Sequence, residues 1–358
     1  MSIAIGAWLE RFLGRGSAAV TVPPLDGALK PNSLLEEAEP GFVMPAPDNL
    51  TPVEGVPVWS SGAQLLKLDG DKPSLFATLQ SNVTALAYSD AGYIAVACES
   101  HGIVILDPDG QSVNTALRDG GKYNCVTALA FADDDALLVC IGSTENALSA
   151  WQRDLLEQAR AGQLLRIDLN SGEVKQLANG LAFPSGVLAE RDGSIIVSES
   201  WATRLIRFGA DGRMGAQLIE DLPGYPARLA RAARGGYWLS IFAPRSPLIE
   251  FVLREPTYRR AMMAEVAPEN WIAPALQSGL SFHEPMQGGA LKQMGILKPW
   301  APTRSYGLVV ELNRNFTPIR SLHSRAGGRR HGITSAVEFD GRLWLTSKGG
   351  GEVVALPL

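Results

Sequence analysis

Residues 180–208 alternate apolar segments with short polar turns. Residues 181–187 are mostly apolar, an Arg-Asp-Gly turn sequence follows, and residues 194–199 form a run rich in β-branched side chains. Residues 204–208 then alternate polar with apolar side chains, as in a strand with one buried face. The pattern predicts three consecutive strands, which make up a four-stranded sheet unit without its first strand.

The same pattern recurs along the chain. Each copy has a glycine or aspartate, an apolar strand, a polar turn, and a strand that ends near Asp or Asn. The copies lie at residues 55–69, 92–107, 135–168, 180–208, 236–313 and 341–356. Copies without an insertion are spaced by roughly 40 residues, the scale of a propeller blade. We therefore predict an all-β fold, a six-bladed β-propeller, in which radial closure leaves only short sheet edges. A β-sandwich is the alternative, which six similar units disfavour.

Composition excludes several classes of function. The 358 residues carry a net charge of −5, and the basic cluster at residues 328–331 is too small for a nucleic-acid interface. Three cysteines without a dense framework argue against a disulfide scaffold. The chain has no run of 18 apolar residues, so no transmembrane span is predicted. We expect a cytoplasmic protein.

The N-terminal residues 1–19 are predicted to form an extension outside the propeller. Apolar residues between Ile3 and Leu13 can line one side of a short helix, which docks on the domain or, alternatively, contacts a membrane surface. Propellers commonly use one terminus to complete the last blade, so we expect residues 18–22 to pair with residues 352–356.

Four stretches carry a resemblance to a known family. They are PPLDGALKPN, GQLLRIDLNSGEVKQLANGLAFPSGVLAERDGSIIVSES, LPGYPARL and ITSAVEFDGRLWLTS. From Val20 onward the chain resembles the strictosidine-synthase-like branch of the six-bladed propellers, which is related to gluconolactonases and paraoxonases. The resemblance implies one propeller domain over residues 20–358 and a small-molecule site where the inner strands converge.

Two insertions interrupt the repeated units. Residues 245–304 have apolar positions near helical spacing, and Pro256 is expected to divide them into two helices before a loop. We expect this insertion to cover one face of the propeller as a lid; packing against a blade flank and an oligomer contact are the alternatives. Residues 143–162 predict a short helix capped by Ser149, with Trp151, Leu155 and Leu156 on one side.

The resemblance also allows the calcium-ligand positions of related lactonases to be compared with this sequence. Calcium-dependent lactonases of this group hold Ca²⁺ with Glu, Asn and Asp side chains from several blades, and a hard cation needs such oxygen ligands. Position by position, Asp48 can replace the first acidic ligand. The other positions align with Thr127, Ser185 and Arg228, and a guanidinium is a permanent cation. We therefore predict no metal ligands, no catalytic Ca²⁺ and no other cofactor.

Strictosidine synthase itself uses a pocket glutamate, and that position aligns with Thr334. Threonine cannot transfer protons as a carboxylate does near neutral pH, so we do not expect amine–aldehyde condensation. His331 is the nearest proton-transfer group, or else a surface loop histidine. Ser185 is a candidate nucleophile if His331 or Asp48 lies within hydrogen-bond reach, and otherwise its hydroxyl caps a strand end.

Three hypotheses follow for a small organic molecule in the central channel. The first is metal-independent hydrolysis of an ester or lactone, with Ser185, His331 and Asp48 as catalytic residues. In this hypothesis Arg228, Thr127, Thr334 and Tyr225 bind the substrate. The second is a propeller that binds a small molecule without catalysis, and the third is a calcium-dependent lactonase. No nucleic-acid partner is expected, and the oligomeric state stays open.

Overall fold

In the described part of the chain, six four-stranded antiparallel sheets surround a central channel. The computed structural model describes residues 22–114, 123–279 and 304–358, Glu284, and the backbone of residues 292–293 and 296–297. The six-bladed β-propeller is confirmed. The predicted N-terminal helix and most of residues 280–303 lie outside the described residues.

The blades follow one another along the chain. Blade 1 comprises β2 (Pro47–Val53), β3 (Val56–Ser61), β4 (Gln64–Asp69) and β5 (Lys72–Thr78), and blade 2 comprises β6 (Val83–Tyr88), β7 (Ile94–Cys98), β8 (Gly102–Leu106) and β9 (Ser112–Asn114). Blade 3 comprises β10 (Val126–Asp133), β11 (Ala136–Ile141), β12 (Gly162–Asp168) and β13 (Val174–Leu181), and blade 4 comprises β14 (Pro184–Ala189), β15 (Ile195–Glu199), β16 (Arg204–Phe208) and β17 (Met214–Ile219). Blade 5 comprises β18 (Gly224–Arg231), β19 (Tyr237–Pro244), β22 (Gly307–Leu312) and β23 (Pro318–Ser324). Blade 6 comprises β24 (Ile333–Phe339), β25 (Arg342–Ser347), β26 (Glu352–Pro357) and β1 (Phe42–Val43), and β20 (Lys292–Gln293) pairs with β21 (Ile296–Leu297) outside the blades.

Hairpin turns between neighbouring strands explain the recurring Asp and Asn positions. The Asp168 carboxylate accepts hydrogen bonds from the backbone N–H groups of Asn170 and Ser171, and Gly172 follows with φ 74°. The Asn313 side chain accepts from the N–H groups two and four residues further on. Such side chains satisfy turn donors locally, so they mark the ends of strands.

The inner strands β2, β6, β10, β14, β18 and β24 contact one another in sequence around the channel. The spaces between blades are filled by fully buried aliphatic side chains, for example Leu137, Ile167 and Val197. All three cysteines are buried and unpaired, which agrees with the absence of a disulfide scaffold. Among the described helices, none has the length and apolar character needed to cross a lipid bilayer.

The ring is closed by an N-terminal strand, but not by the predicted one. Phe42 and Val43 pair with Val353 and Glu352, so β1 completes blade 6. Val22 lies in no strand, and residues 18–21 lie outside the described residues. The prediction that residues 352–356 receive the closing strand is confirmed. The prediction that residues 18–22 form that strand is wrong, because residues 42–43 form it.

The described helices include α1 (Leu34–Glu37), α2 (Trp151–Glu157), α3 (Pro247–Arg254) and α4 (Pro256–Glu265). The division of the insertion of residues 245–304 into two helices at Pro256 is therefore confirmed. Ser149 does not cap α2: it lies in the 3₁₀ turn Leu148–Ala150, and Ala150 precedes the helix. Leu155 and Leu156 are buried against Ile249 and Val252, so the two insertions pack on each other.

Candidate functional site

Every inner strand has a register shift near its start, and these shifts expose side chains to the channel. The pairing skips one or more residues in β2, β6, β10, β14, β18 and β24. The skipped residues include Thr84, Thr127, Ser185, Arg228 and Thr334. A β-bulge re-aims a side chain in this way, and bulges are common beside functional sites.

Arg228 extends from β18 across the channel. Its Nη1 donates to Asp48 Oδ1 at 2.6 Å, and its Nη2 donates to the backbone carbonyls of Thr84 at 3.0 Å and Thr127 at 3.1 Å. The guanidinium thus connects blade 5 to blades 1, 2 and 3.

Asp48 accepts hydrogen bonds on both carboxylate oxygens. Besides Arg228, Oδ1 accepts from the Asn49 N–H at 2.7 Å, and Oδ2 accepts from Lys348 Nζ at 2.8 Å. Burial alone raises the pKa of Asp48, but the charges of Arg228 and Lys348 outweigh it and hold that pKa well below its usual value. Asp48 is therefore ionised, and it is too weak a base to activate a nucleophile near neutral pH.

The hydroxyls around the channel bond to the protein. Thr127 Oγ1 donates to the Pro184 carbonyl, and Thr334 Oγ1 bonds to Thr346 Oγ1 at 3.1 Å. Ser185 Oγ donates to the Pro226 carbonyl at 2.9 Å and also bonds to Ser200 Oγ. The bonds to Pro184 and Pro226 link neighbouring blades, and no base in the described residues bonds to Ser185.

The structure does not bring His331 to Ser185. His331 is 2% exposed, its Nδ1 bonds to Ser305 Oγ at 2.8 Å, and its Nε2 to the Arg325 carbonyl at 2.9 Å. It is therefore neither a catalytic partner of Ser185 nor a surface loop histidine, because it is buried and both ring nitrogens bond to segments that flank β22 and β23. Burial also lowers the pKa of His331, which favours the neutral ring.

Tyr225 is likewise displaced from the expected role. It is 1% exposed, its ring packs edge-on against Trp201 at 5.6 Å, and its hydroxyl donates to Glu250 at 3.3 Å. Tyr225 supports the aromatic cluster behind the site and is not among the residues that line the cavity.

A cavity of about 310 Å³ opens above Arg228 and Asp48. Its base includes Thr84, Thr127, Ser185, Thr334 and Lys348. Apolar side chains form the wall, and they are Leu148, Trp151, Phe183, Phe242 and Leu276. Asn82, Glu99 and Ser149 complete the polar lining, and the Glu99 carboxylate accepts a hydrogen bond from Asn82 at 3.3 Å.

Both insertions contribute to this cavity. Trp151 comes from the insertion of residues 143–162, and Leu276 comes from the other, in a segment that we call the 271–279 segment. This segment is held by Gln152, whose Nε2 donates to the Pro274 carbonyl at 2.6 Å, and by the Ala275 N–H, which donates to the Arg304 carbonyl at 2.7 Å.

The donor set at the channel axis does not fit a divalent cation. Ca²⁺ takes six to eight oxygen ligands with anionic ones prominent. Here Asp48 already faces two cations, and the carbonyls of Thr84 and Thr127 accept from Arg228. Within the described ranges, no group of three or more His, Cys, Asp or Glu side chains can hold a metal.

Comparison with known proteins shows which proteins the chain is similar to. No family model matches it. It is 25% identical to the adipocyte plasma membrane-associated protein of Bos taurus over 91% of this chain and 80% of that one. It is 32% identical to the strictosidine synthase-like 13 protein of Arabidopsis thaliana over 29% of this chain and 27% of that one. A gluconolactonase from Xanthomonas campestris superposes with a TM-score of 0.55 at 14% identity, covering 89% of this chain and 88% of that one.

The chain is a six-bladed β-propeller that is similar in sequence to strictosidine-synthase-like proteins. The structural likeness shows that this chain shares the fold of these gluconolactonase-type propellers. The expected cytoplasmic location is wrong, because the relatives that align over most of this chain are named plasma membrane-associated proteins.

Sequence reasoning missed several residues of this strictosidine-synthase-like site. Lys348 lies in the hairpin between β25 and β26, next to three glycines, and a lysine in such a turn usually faces solvent. Glu99 lies in the short hairpin turn after β7, and nothing in the sequence of that turn predicts that it lines a cavity. Thr127, Ser185, Arg228 and Thr334 were identified through the family resemblance, and the structure places each of them at a bulge of an inner strand.

Proposed function

We propose that this strictosidine-synthase-like propeller binds a small organic anion with an apolar body in its central cavity. One observation carries the proposal: among the described residues at the cavity base, two cations, Arg228 and Lys348, face one carboxylate, Asp48. This cluster has an excess positive charge, because Glu99, the other carboxylate that lines the cavity, bonds to Asn82 and forms no ion pair with Arg228 or Lys348. An anionic group of the ligand supplies the missing counter-charge.

Lys348 is the residue best placed to contact that anionic group. Its side chain is 30% exposed, whereas that of Arg228 is 19% exposed. An ammonium group has three N–H donors, and Asp48 accepts from Lys348 through one oxygen. The remaining donors are available to a carboxylate or phosphate of the ligand, and a charge-assisted bond is stronger than a neutral one.

The wall of the cavity suits the apolar part of such a ligand. Trp151, Phe183 and Phe242 present aromatic surface, with Leu148 and Leu276 beside them. Burying apolar surface against them stabilises the complex by roughly 25 cal/mol per Å². A volume of about 310 Å³ is that of a small metabolite-sized site.

A specific observation favours hydrolysis of an ester or lactone as a second candidate function. Glu99 lines the same cavity as Lys348, and Asn82 orients its carboxylate. In this proposal Glu99 removes a proton from water, the water oxygen attacks the carbonyl carbon, and Lys348 stabilises the resulting oxyanion. The tetrahedral intermediate then collapses, the bond between the carbonyl carbon and the leaving oxygen breaks, and the departing alkoxide takes the proton from Glu99. Ser185 takes no part, because its hydroxyl is bonded to Pro226 and Ser200.

The binding proposal is tested by matched ligands. We expect the wild-type protein to bind aryl- and alkyl-carboxylates about tenfold more tightly than the corresponding carboxamides, because a charge-assisted hydrogen bond contributes about 1.5 kcal/mol. Lys348→Met is expected to abolish this preference and leave the carboxamide affinity unchanged. Isothermal titration calorimetry measures both affinities.

Lys175→Met is the control, since Lys175 is an exposed residue of β13 far from the cavity lining. Equal affinity of the wild-type protein for carboxylates and carboxamides contradicts the proposal. So does a Lys348→Met variant that keeps the preference.

Hydrolysis is tested with aryl esters and lactones as substrates. We expect turnover that persists in EDTA and falls by about 10²–10⁴-fold in Glu99→Gln, because the amide cannot accept the proton from water. Glu173→Gln, at an exposed turn in blade 3, is the control. Activity that EDTA removes, or that Glu99→Gln retains, contradicts this mechanism. If the protein binds carboxylates but hydrolyses none of these substrates, binding is its only function at this site.

A further inference from the structure

We infer that the channel axis is a cation site that the chain fills with its own side chain, the guanidinium of Arg228, in place of a free metal ion. The inference concerns what holds the inner ring together. It does not depend on the identity of the ligand or on catalysis.

The first argument is the chemistry of the groups that contact Arg228. All three are oxygen atoms: one carboxylate oxygen of Asp48 and the backbone carbonyl oxygens of Thr84 and Thr127. They come from three different blades and converge on one positive group. A carboxylate and carbonyls are also what a hard divalent cation selects, so the propeller keeps an oxygen-lined axis but supplies the cation covalently.

The second argument is the way in which β18 delivers the side chain. The register of β18 against β19 shifts between Pro226 and Leu229, so the strand bulges at Ala227 and Arg228. Gly186 of β14 lies directly against this bulge: a Cβ atom there would be 2.6 Å from the Ala227 carbonyl oxygen and 3.0 Å from the Arg228 Cα. Close approach of the two backbones fixes the point from which the guanidinium crosses the channel.

The third argument is the position of Arg228 within the channel. Arg228 lines the cavity described above and also a second cavity of about 250 Å³ on the other side, which is bordered by Leu86, Leu129 and Val337. The side chain therefore forms part of the partition between the two cavities, where an axial ion would lie. A second cation, Lys348, on Asp48 makes the same position still less favourable for a free divalent ion.

Three proteins test the inference by thermal unfolding: the wild type, Arg228→Ala and Arg228→Lys. We expect the wild-type Tm to be the same in EDTA and in millimolar Ca²⁺. Arg228→Ala is expected to lower Tm by about 5 °C, because it leaves Asp48 and two carbonyls without their shared donor. Arg228→Lys keeps the charge but cannot bond three oxygens at once, so an intermediate Tm is expected.

Chemical rescue distinguishes a cation site from a general packing defect. Methylguanidinium at millimolar concentration is expected to restore at least half of the Tm lost in Arg228→Ala, since it fits the vacated space and regains the same acceptors. Methylammonium at equal concentration is expected to restore less. Arg231→Ala is the matched control: Arg231 lies on the same strand and also donates to a neighbouring blade's carbonyl, that of Ala189 at 2.6 Å, but its side chain is 38% exposed.

Three results overturn the inference. The first is a wild-type Tm that EDTA lowers or Ca²⁺ raises, which does not require any variant to fold. The second is an Arg228→Ala protein whose Tm equals that of the wild type or that of Arg231→Ala. The third is a methylguanidinium effect on Arg228→Ala no larger than its effect on Arg231→Ala.

Discussion

Replacing Arg330 with alanine is expected to lower the free energy of unfolding by about 4 kcal/mol, because it leaves a buried carboxylate without its partner. Arg330 is fully buried, and it pairs with Glu352 through two bonds, Nε–Oε2 at 2.8 Å and Nη2–Oε1 at 3.0 Å. Its remaining N–H groups donate to the carbonyls of Leu35, Ala38 and Glu39. One side chain therefore attaches the N-terminal segment to blade 6.

This attachment is what closes the ring. Glu352 also accepts from the Gly41 N–H at 2.7 Å, immediately before β1 pairs with β26. Burial raises the pKa of Glu352, but the bonds from Arg330 and Gly41 outweigh it and keep that pKa below its usual value. In Arg330→Ala the carboxylate loses its cation, so we expect residues 34–43 to detach more often and to become accessible to proteases.

Urea denaturation and limited proteolysis measure the two effects. Arg329→Ala is the control, because the Arg329 side chain is 67% exposed and lies 4.0 Å from Glu36. An exposed pair of this kind contributes less than about 1 kcal/mol. If Arg330→Ala unfolds at the same urea concentration as Arg329→Ala, the attachment of the N-terminal segment does not limit stability.

The ring closure also shows where sequence reasoning ends. The blades could be predicted because each one repeats a local signal, a polar turn between two apolar strands, and the hydrogen bonds of Asp168 and Asn313 are made within their own turns. The closing strand depends on contacts between residues about 290 positions apart, such as Arg330 with Leu35. No local pattern distinguishes residues 42–43 from residues 18–22 as the strand that makes those contacts.

The same division applies to the site. Asp48, Thr127, Ser185, Arg228 and Thr334 could be located because each aligns with a site position of the resembled family, and all five line the channel cavity. What they bond to could not be predicted. Arg228 crosses to three other blades, and His331 bonds to Ser305 and Arg325 rather than to Ser185. The arrangement of the blades around the ring determines these partners, and the spacing of residues along one strand does not predict that arrangement.

The second large effect is expected for Gly349→Ala, which should weaken binding of carboxylate ligands about tenfold through the cavity wall. A Cβ atom at Gly349 would lie 2.0 Å from the Leu276 carbonyl oxygen, so the backbone of the 271–279 segment must move. Leu276 then leaves the cavity lining, and losing the apolar contact with one leucine side chain costs about 1.5 kcal/mol of binding free energy. Lys348 keeps its place beside Asp48, so the preference for carboxylates over carboxamides is expected to survive while both affinities fall.

Gly215→Ala provides the comparison for the loss of a glycine. Gly215 lies in the exposed part of β17, and a Cβ atom there would be 3.1 Å from the Arg207 carbonyl oxygen, a contact that a small shift relieves. Neither glycine has a positive φ angle, so alanine is compatible with the backbone at both positions and the contact with Leu276 is the relevant difference. Calorimetric titration of the same carboxylates and carboxamides measures the effect. Wild-type affinity in Gly349→Ala shows that Leu276 contributes nothing to the ligand, and loss of the carboxylate preference shows that the substitution acts through Lys348 instead.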